Sequence, residues 1–489
     1  MSNKYLLLTS MALLLATFSI SACSSADHKA EAPAPETRVS MKPESKSNYR
    51  LPQFEEETLA NGLRVLFVPD DKLPYLSMSM MVKSGSDQEP ADQAGLASFV
   101  SELLDKGTNQ RNATQIAQDL GNLGAEFGAG SGYDFSTADI SGLSIHADLL
   151  LSNFFELVTQ PSFSDAEIER MRKQILAGIA RREDSPESFA SMAFAQALYG
   201  QHPYGRPVSG TLATIQGIKK KNINQYYLRY FRPNNSILAV TGQFTPQFKA
   251  KLKTVFAAWQ SRDITAIAMP ELANSNGAPS LKVVLVDKPD LVQAQIRMGH
   301  FGIKRKNEDF IALRVANTIL GGAFASRLNS RIRKDLGLTY NISSSFDGRI
   351  ERGPFEIETF TKNTTIGQTV GETLKVLNAF KESGVTAEEV DRARGYLKGI
   401  FPTAIETPEK LAHNLLMLRL YGVPDSFLST YWRELDRITT SDVNRAIAKY
   451  IDPANLTIMV YAPAAESQAQ LKKVLPPGAT MVTKSGKDL

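Results

Sequence analysis

A single cysteine, Cys23, stands in 489 residues, which excludes any disulfide within the chain and leaves packed cores to hold it together. Histidine is nearly as scarce. His28, His146, His202, His300 and His413 are the whole set, and no two of them have the spacing at which a helix or loop offers a pair of metal ligands. An excess of one charge is missing too: 55 basic against 51 acidic residues leave a formal charge of +4, which gives no reason to invoke nucleic acid. The run Lys219–Lys221 reads as the solvated start of a helix. Beyond Cys23 no apolar segment is long enough to hold a bilayer.

What is present points to a globular chain. A hydrophobic content of 43% with 22% charged residues is that of a folded soluble protein. A length of 489 residues exceeds what one core ordinarily organises, so two or more domains are expected. Lys4, the apolar stretch from Tyr5 to Ile20, and then Ser21 and Ala22 read as a secretory signal over residues 1–22. The run Ile20-Ser-Ala-Cys23 also resembles a bacterial lipobox, which implies lipidation of Cys23 as the mature N-terminus. Ser24 rather than Asp in the next position implies an outer-membrane lipoprotein facing the periplasm. Residues 23–50, rich in Ala, Pro, Ser, Lys and Glu without an apolar period, read as a flexible tether.

Past the tether the sequence repeats itself once. Ile218 through Asn224 leads to Tyr230-Phe-Arg-Pro233-Asn-Asn235, and Ile438 through Asn444 leads to Tyr450-Ile-Asp-Pro453-Ala-Asn455. Each copy runs on into a strand-like segment, Ser236–Val240 and Leu456–Val460. Ser164-Asp-Ala-Glu167 and Thr386-Ala-Glu-Glu389 both read as capping boxes that open amphipathic helices. Near the start of each copy lies a β-rich run, Leu63–Val68 and Leu281–Val286. Several matches in one order, at nearly one offset, predict two homologous α+β domains, 51–268 and 277–489, joined through Ala273–Pro279.

The repeat carries a chain of short motifs: Asn61-Gly-Leu-Arg-Val-Leu-Phe-Val-Pro69, Ser84-Gly-Ser86, Gly95-Leu-Ala through Lys106-Gly-Thr108, His202-Pro-Tyr-Gly205 with Pro207 and Gly210, and Leu320-Gly-Gly322 with Ser326-Arg-Leu328. In this order and spacing they resemble the pitrilysin/insulinase metallopeptidases, a family that includes mitochondrial processing peptidase and bacterial two-subunit members. The resemblance implies two homologous α+β domains of that type, each a mostly antiparallel sheet covered by helices.

Active members of that family carry His-x-x-Glu-His on the helix after Gly-Leu-Ala, where the two His share a face and the Glu activates the metal-bound water. Here Ser98 stands at the first His, Ser101 at the general base and Glu102 at the second His. The family's third ligand should fall near Ala177 or Gly178, and neither can bind metal. One carboxylate does not make a zinc site. Ser98, Glu102 and Asp105 read instead as the polar face of an amphipathic helix, and His202 as a structural residue of its turn. The resemblance therefore implies no catalytic residue and no cofactor in this chain.

The second half keeps more. Arg333-Lys-Asp-Leu-Gly-Leu-Thr-Tyr340 resembles the family segment whose Arg and Tyr meet the substrate backbone opposite the zinc site. By that resemblance Arg333 and Tyr340 are substrate-binding residues. The chain is then expected to be a non-catalytic subunit that pairs with a zinc-bearing paralogue, acts on peptide, and reaches the outer membrane through its lipid anchor. The alternative is an inert peptide-binding or scaffold lipoprotein of the envelope.

Overall fold

The structure, a computed structural model, describes residues 53–182, 184–272 and 281–486. The expected signal, Cys23, the tether and the connecting stretch Ala273–Pro279 lie outside the described residues. Two six-stranded sheets follow from the two halves of the sequence. The first contains β1 (Glu55–Thr58), β2 (Arg64–Pro69), β3 (Tyr75–Val82), β4 (Glu126–Ser131), β5 (Ser136–Leu143) and β6 (Ser236–Gly242), in the order β1-β2-β6-β3-β5-β4. The second contains β7 (Lys282–Asp287), β8 (Gln293–Phe301), β9 (Ile342–Phe346), β10 (Pro354–Lys362), β11 (Thr457–Ala462) and β12 (Thr480–Ser485), in the order β12-β7-β11-β8-β10-β9.

Most neighbours are antiparallel, as expected, but both sheets are mixed. β2 pairs with β6 in parallel, and so do β7 with β11 and β7 with β12. β6 and β11 return only after a long helical excursion, the kind of connection that parallel neighbours need. The repeat is visible at that return: the turns Pro233–Asn235 and Pro453–Asn455 lead directly into β6 and β11. The capping box at Thr386 and Glu389 forms, and the Ser164 hydroxyl accepts the Glu167 amide at 3.4 Å. Lys219, Lys220 and Lys221 are exposed at the start of the helix Lys220–Tyr230.

The central strands are apolar on both faces because both faces are covered. Val65 and Phe67 of β2, with Leu238 and Val240 of β6, point into the core formed by the helices of the first half. Leu66, Val68, Ile237 and Ala239 alternate with them and point the other way. That second face is covered by the helix Pro408–Leu420, through Leu411, Ala412, Leu415 and Leu416. The second sheet receives the same treatment in exchange. Val284, Val286, Met459 and Tyr461 pack against Phe189, Ala190, Ala193 and Phe194 of the helix Pro186–Tyr199. Phe189 stacks on Tyr461 with ring centroids 4.5 Å apart. Each half thus lends a helix to the other half's sheet, and residues 48–489 form one compact unit. Arg419, at the end of one lent helix, donates to Glu56 at 2.6 Å and fastens that helix to the edge strand β1.

Candidate functional site

The helix Leu96–Glu102 is held at its start by two devices. Glu89 accepts the amides of Gly95 at 3.0 Å and Ala97 at 2.6 Å, capping donors that the helix itself leaves free. Gly95, at φ +95, and Gly210, at φ +74, sit against each other: a Cβ on Gly95 would lie 2.9 Å from the Gly210 backbone. Side chains rarely adopt such φ values and none would fit there, which is why these two motif glycines occur together.

The polar face of this helix lines a cavity of about 540 Å³ with the helix Asp165–Arg182 and the edge strand β4. Glu102 looks into it, and burial raises its pKa above the ordinary value, opposed by Lys106 and the Ser98 hydroxyl. Ser101 is fully buried and donates to the Ala97 carbonyl at 3.0 Å, so its hydroxyl is committed to its own helix. Of the two candidate positions for a distal ligand, Gly178 lines the cavity, whereas Ala177 is exposed outside it. A Cβ on Gly178 would meet nothing within 4 Å. The space for a ligand side chain is there, and the side chain is not. Among the described residues no three His, Cys, Asp or Glu groups converge to hold a metal. With two serines, one carboxylate and a glycine, the residues present do not fit a zinc ion.

Arg182 lies one turn beyond Gly178 and, with Ser209, also borders a second cavity of about 480 Å³. Ser98, Tyr133, Arg206, Arg349 and Glu356 line this second space, which lies between the two halves. Behind Gly205, which lines it, lies a polar staple built on the motif His202-Pro-Tyr-Gly205. The fully buried Tyr204 donates to Asp134 at 2.5 Å, and the amides of Ile350 and Glu351 donate to Asp134 and to the Tyr204 oxygen at 3.0 and 3.1 Å. His202 belongs to the same turn. Its Nδ1 accepts the Tyr204 amide at 3.1 Å and burial lowers its pKa, which keeps the ring neutral and structural.

The second half supplies a third cavity, of about 710 Å³, and Arg333 and Tyr340 both line it. Arg333 lies in the short helix Asn329–Asp335, and its guanidinium stacks over the Phe324 ring at 4.5 Å. Tyr340 is 82% exposed and Phe324 77%, so neither ring is part of a core. Phe324 has no counterpart in the sequence reading, since an isolated aromatic gives no sign of whether it faces solvent or core. Arg182, Arg206 and Arg349 were equally silent, because their significance is a matter of which other charges the fold brings near.

Buried carboxyls give this region a pH dependence with a definite sign. Burial pushes Asp87 up to about 6, Glu89 to about 8 and Glu356 to about 7. Between their ordinary values and these raised ones the folded chain binds more protons than the unfolded chain, so stability falls as pH rises, most clearly from about pH 5 to 8. Glu356→Gln should flatten that fall between about pH 5 and 7 in a series of thermal melts. An unchanged slope would show that Glu356 does not hold its proton in the fold.

Comparison with known proteins gives a consistent picture. Residues 64–212 match the family described as insulinase (peptidase family M16), and residues 217–397 match the family described as peptidase M16 inactive domain. The Bacillus subtilis protein named uncharacterized zinc protease YmxG is 23% identical over 83% of this chain and 98% of its own length. The Helicobacter pylori protein named non-peptidase homolog YmxG is 24% identical over 81% of this chain and 91% of its own. Among solved structures, a peptidase M16 inactive domain from Pseudomonas fluorescens superposes with a TM-score of 0.77 at 26% identity, covering 84% of this chain and 98% of that one. A Helicobacter pylori protease has the same fold, with a TM-score of 0.76 at 22% identity over 85% of this chain.

Proposed function

The chain belongs to the M16 family of insulinase- and pitrilysin-like proteins as an inactive homologue of its zinc proteases, and from that premise we propose that it is the non-catalytic subunit of a peptidase whose zinc is carried by a paralogous partner. What supports this reading is a contrast inside one molecule. The first half carries Ser98 and Glu102 where the family has its two His, Ser101 where it has the general base and Gly178 near the distal ligand, while the second half presents Arg333, Tyr340 and Phe324 at the rim of an open cavity. In the proposed complex Arg333 and Tyr340 bind the peptide backbone, and the hydrolytic chemistry belongs to the partner.

A second reading is favoured by the edge strand β4. It ends the first sheet, and its outer backbone edge borders the 540 Å³ cavity. An extended peptide could pair there without being cut. Co-expression with a zinc-bearing family member separates the two readings. The subunit reading expects a stable complex, with its zinc lost when the partner's motif is mutated and unaffected by Glu102→Ala in this chain. No complex with any such paralogue would leave the scaffold reading.

The same proposal includes an anchor. Lipidation at Cys23, supported by the lipobox-like Ile20-Ser-Ala-Cys23, would hold the protein on the outer membrane, facing the periplasm. Metabolic labelling with a palmitate analogue should mark the wild type and not Cys23→Ser, and the variant should leave the membrane fraction. Equal labelling of both would end the idea.

A further inference from the structure

Arg182 is a half-buried cation without an acidic partner among the described residues. Burial lowers its pKa, no carboxylate opposes that shift, and among the described residues it makes no salt bridge. Its recorded hydrogen bond is to the Ser209 hydroxyl. Arg206, on the same cavity, is also partly buried with its pKa lowered, although the carboxyls of Glu89 and Asp87 lie near enough to oppose that shift. Its Nη1 donates to the Glu89 carbonyl at 3.2 Å, while its Nε is buried with no hydrogen-bond partner among the described residues. Removing a guanidinium from water without pairing it is unfavourable, so a cavity lined by Arg182 and by the incompletely bonded Arg206 suits an anion from outside the chain.

The other charges around this space agree on where that anion goes. Arg349, also on the wall, is already paired with Asp347 at 2.7 Å. The one carboxyl lining the cavity, Glu356, has Arg297 Nε 3.4 Å from its Oε1 and is pushed up to about 7 by burial, so it offers little competing negative charge. On the other side of Arg182, in the cavity along β4, Asp105 is paired with Lys106 at 2.6 Å and Glu102 faces the same space. The carboxyls near Arg182 thus stand mainly on the β4 side, and the space between the halves is the one in which its charge meets least competition. Arg182 borders both.

We infer that the space beside the lost zinc site is a carboxylate-binding subsite, in which Arg182 and Arg206 receive an acidic side chain or the C-terminal carboxylate of a peptide lying along β4. This rests on the reading of the chain as a peptide-binding homologue and adds the class of peptide. Arg182 offers the planar fork that matches a carboxylate, and the hydroxyls of Ser98 and Ser209 stand on the same wall.

The test uses the purified chain and fluorescein-labelled, Thr- and Val-rich peptides. One set carries a single Glu, moved through successive positions; a second set carries Gln there; both are made with free and with amidated C-termini. Anisotropy titration should find one Glu position, or the free terminus, binding about tenfold or more tighter than its neutral counterpart, with the preference shrinking as salt rises. Arg182→Gln should erase the preference and leave the melting temperature nearly unchanged or higher, because no internal ion pair is lost and the one hydrogen bond given up is to the Ser209 hydroxyl. Arg182→Lys should keep part of the preference. Equal binding of acidic and neutral peptides would overturn the subsite while leaving peptide binding intact. A preference that survives Arg182→Gln would overturn the assignment to this residue. If no peptide binds in any form, the peptide-binding reading falls, and the subsite with it.

Discussion

Arg333→Ala, in a complex of this chain with a zinc-bearing paralogue, is expected to lower peptide turnover roughly a hundredfold or more while leaving the complex assembled. The guanidinium is a planar donor fork and the Tyr340 hydroxyl a single donor. Aimed at the carbonyl under attack, such donors stabilise the oxyanion as it forms, and losing one typically costs about 2.7–4 kcal/mol in the transition state. The structure explains why folding should be spared. Tyr340 is 82% exposed, and the contact recorded for the Arg333 guanidinium is the face of Phe324, itself 77% exposed. Changes at such positions usually move stability by less than about 0.5 kcal/mol. Tyr340→Phe, which removes a single oxygen, should act in the same direction, with the loss in kcat more than in KM. The assay is a fluorogenic peptide library on the co-purified complex. If both variants cleave as fast as wild type, the pair is structural and the scaffold reading gains.

The second large effect is on stability. Phe194→Ala should destabilise the whole chain by roughly 3–5 kcal/mol, and Leu415→Ala by about 2–5 kcal/mol. Phe194 is 2% exposed and Leu415 fully buried, each on a helix that covers the sheet of the opposite half. Without its lent helix, a sheet would present a full apolar face to water, a surface larger than monomeric proteins tolerate. The halves should therefore unfold together, and either substitution should move one shared transition in denaturant followed by far-ultraviolet circular dichroism and by calorimetry. Proteolytic cleavage between residues 273 and 280 should not separate them. Two transitions, each moved by only one of the variants, would show that the halves are independent and the exchanged helices peripheral.

The two helices show how far the sequence could be read. Ser185-Pro186 and Thr407-Pro408 each place a hydroxyl residue just before a proline that opens a helix, and both segments repeat at nearly the offset of the other matches. Neither helix was singled out in the sequence, although this local chemistry marks where each one starts; its destination carries no local mark at all. Phe189, Phe194, Leu411 and Leu415 are apolar whichever sheet they cover, and apolar attraction has no direction that would tell a helix to cross to the other half.

The sequence by itself determined the duplication and the two α+β halves, because both rest on local order, matched turns before β6 and β11 and capping boxes; the missing zinc ligands were legible only through the family resemblance. It also determined that Arg333 and Tyr340 stand seven residues apart with Gly337 between them, where a φ of +60 turns the chain and both side chains meet one cavity. Only the tertiary structure decided that the sheets are mixed, that the halves exchange helices, that Gly178 rather than Ala177 faces the cavity, and that Arg182 has no counter-charge among the described residues. The physical reason is the same in each case. Strand order, helix exchange and charge balance depend on contacts between residues far apart in the chain, and an arginine in a sequence carries no sign of which carboxylates the fold will bring near it, or whether it will bring any.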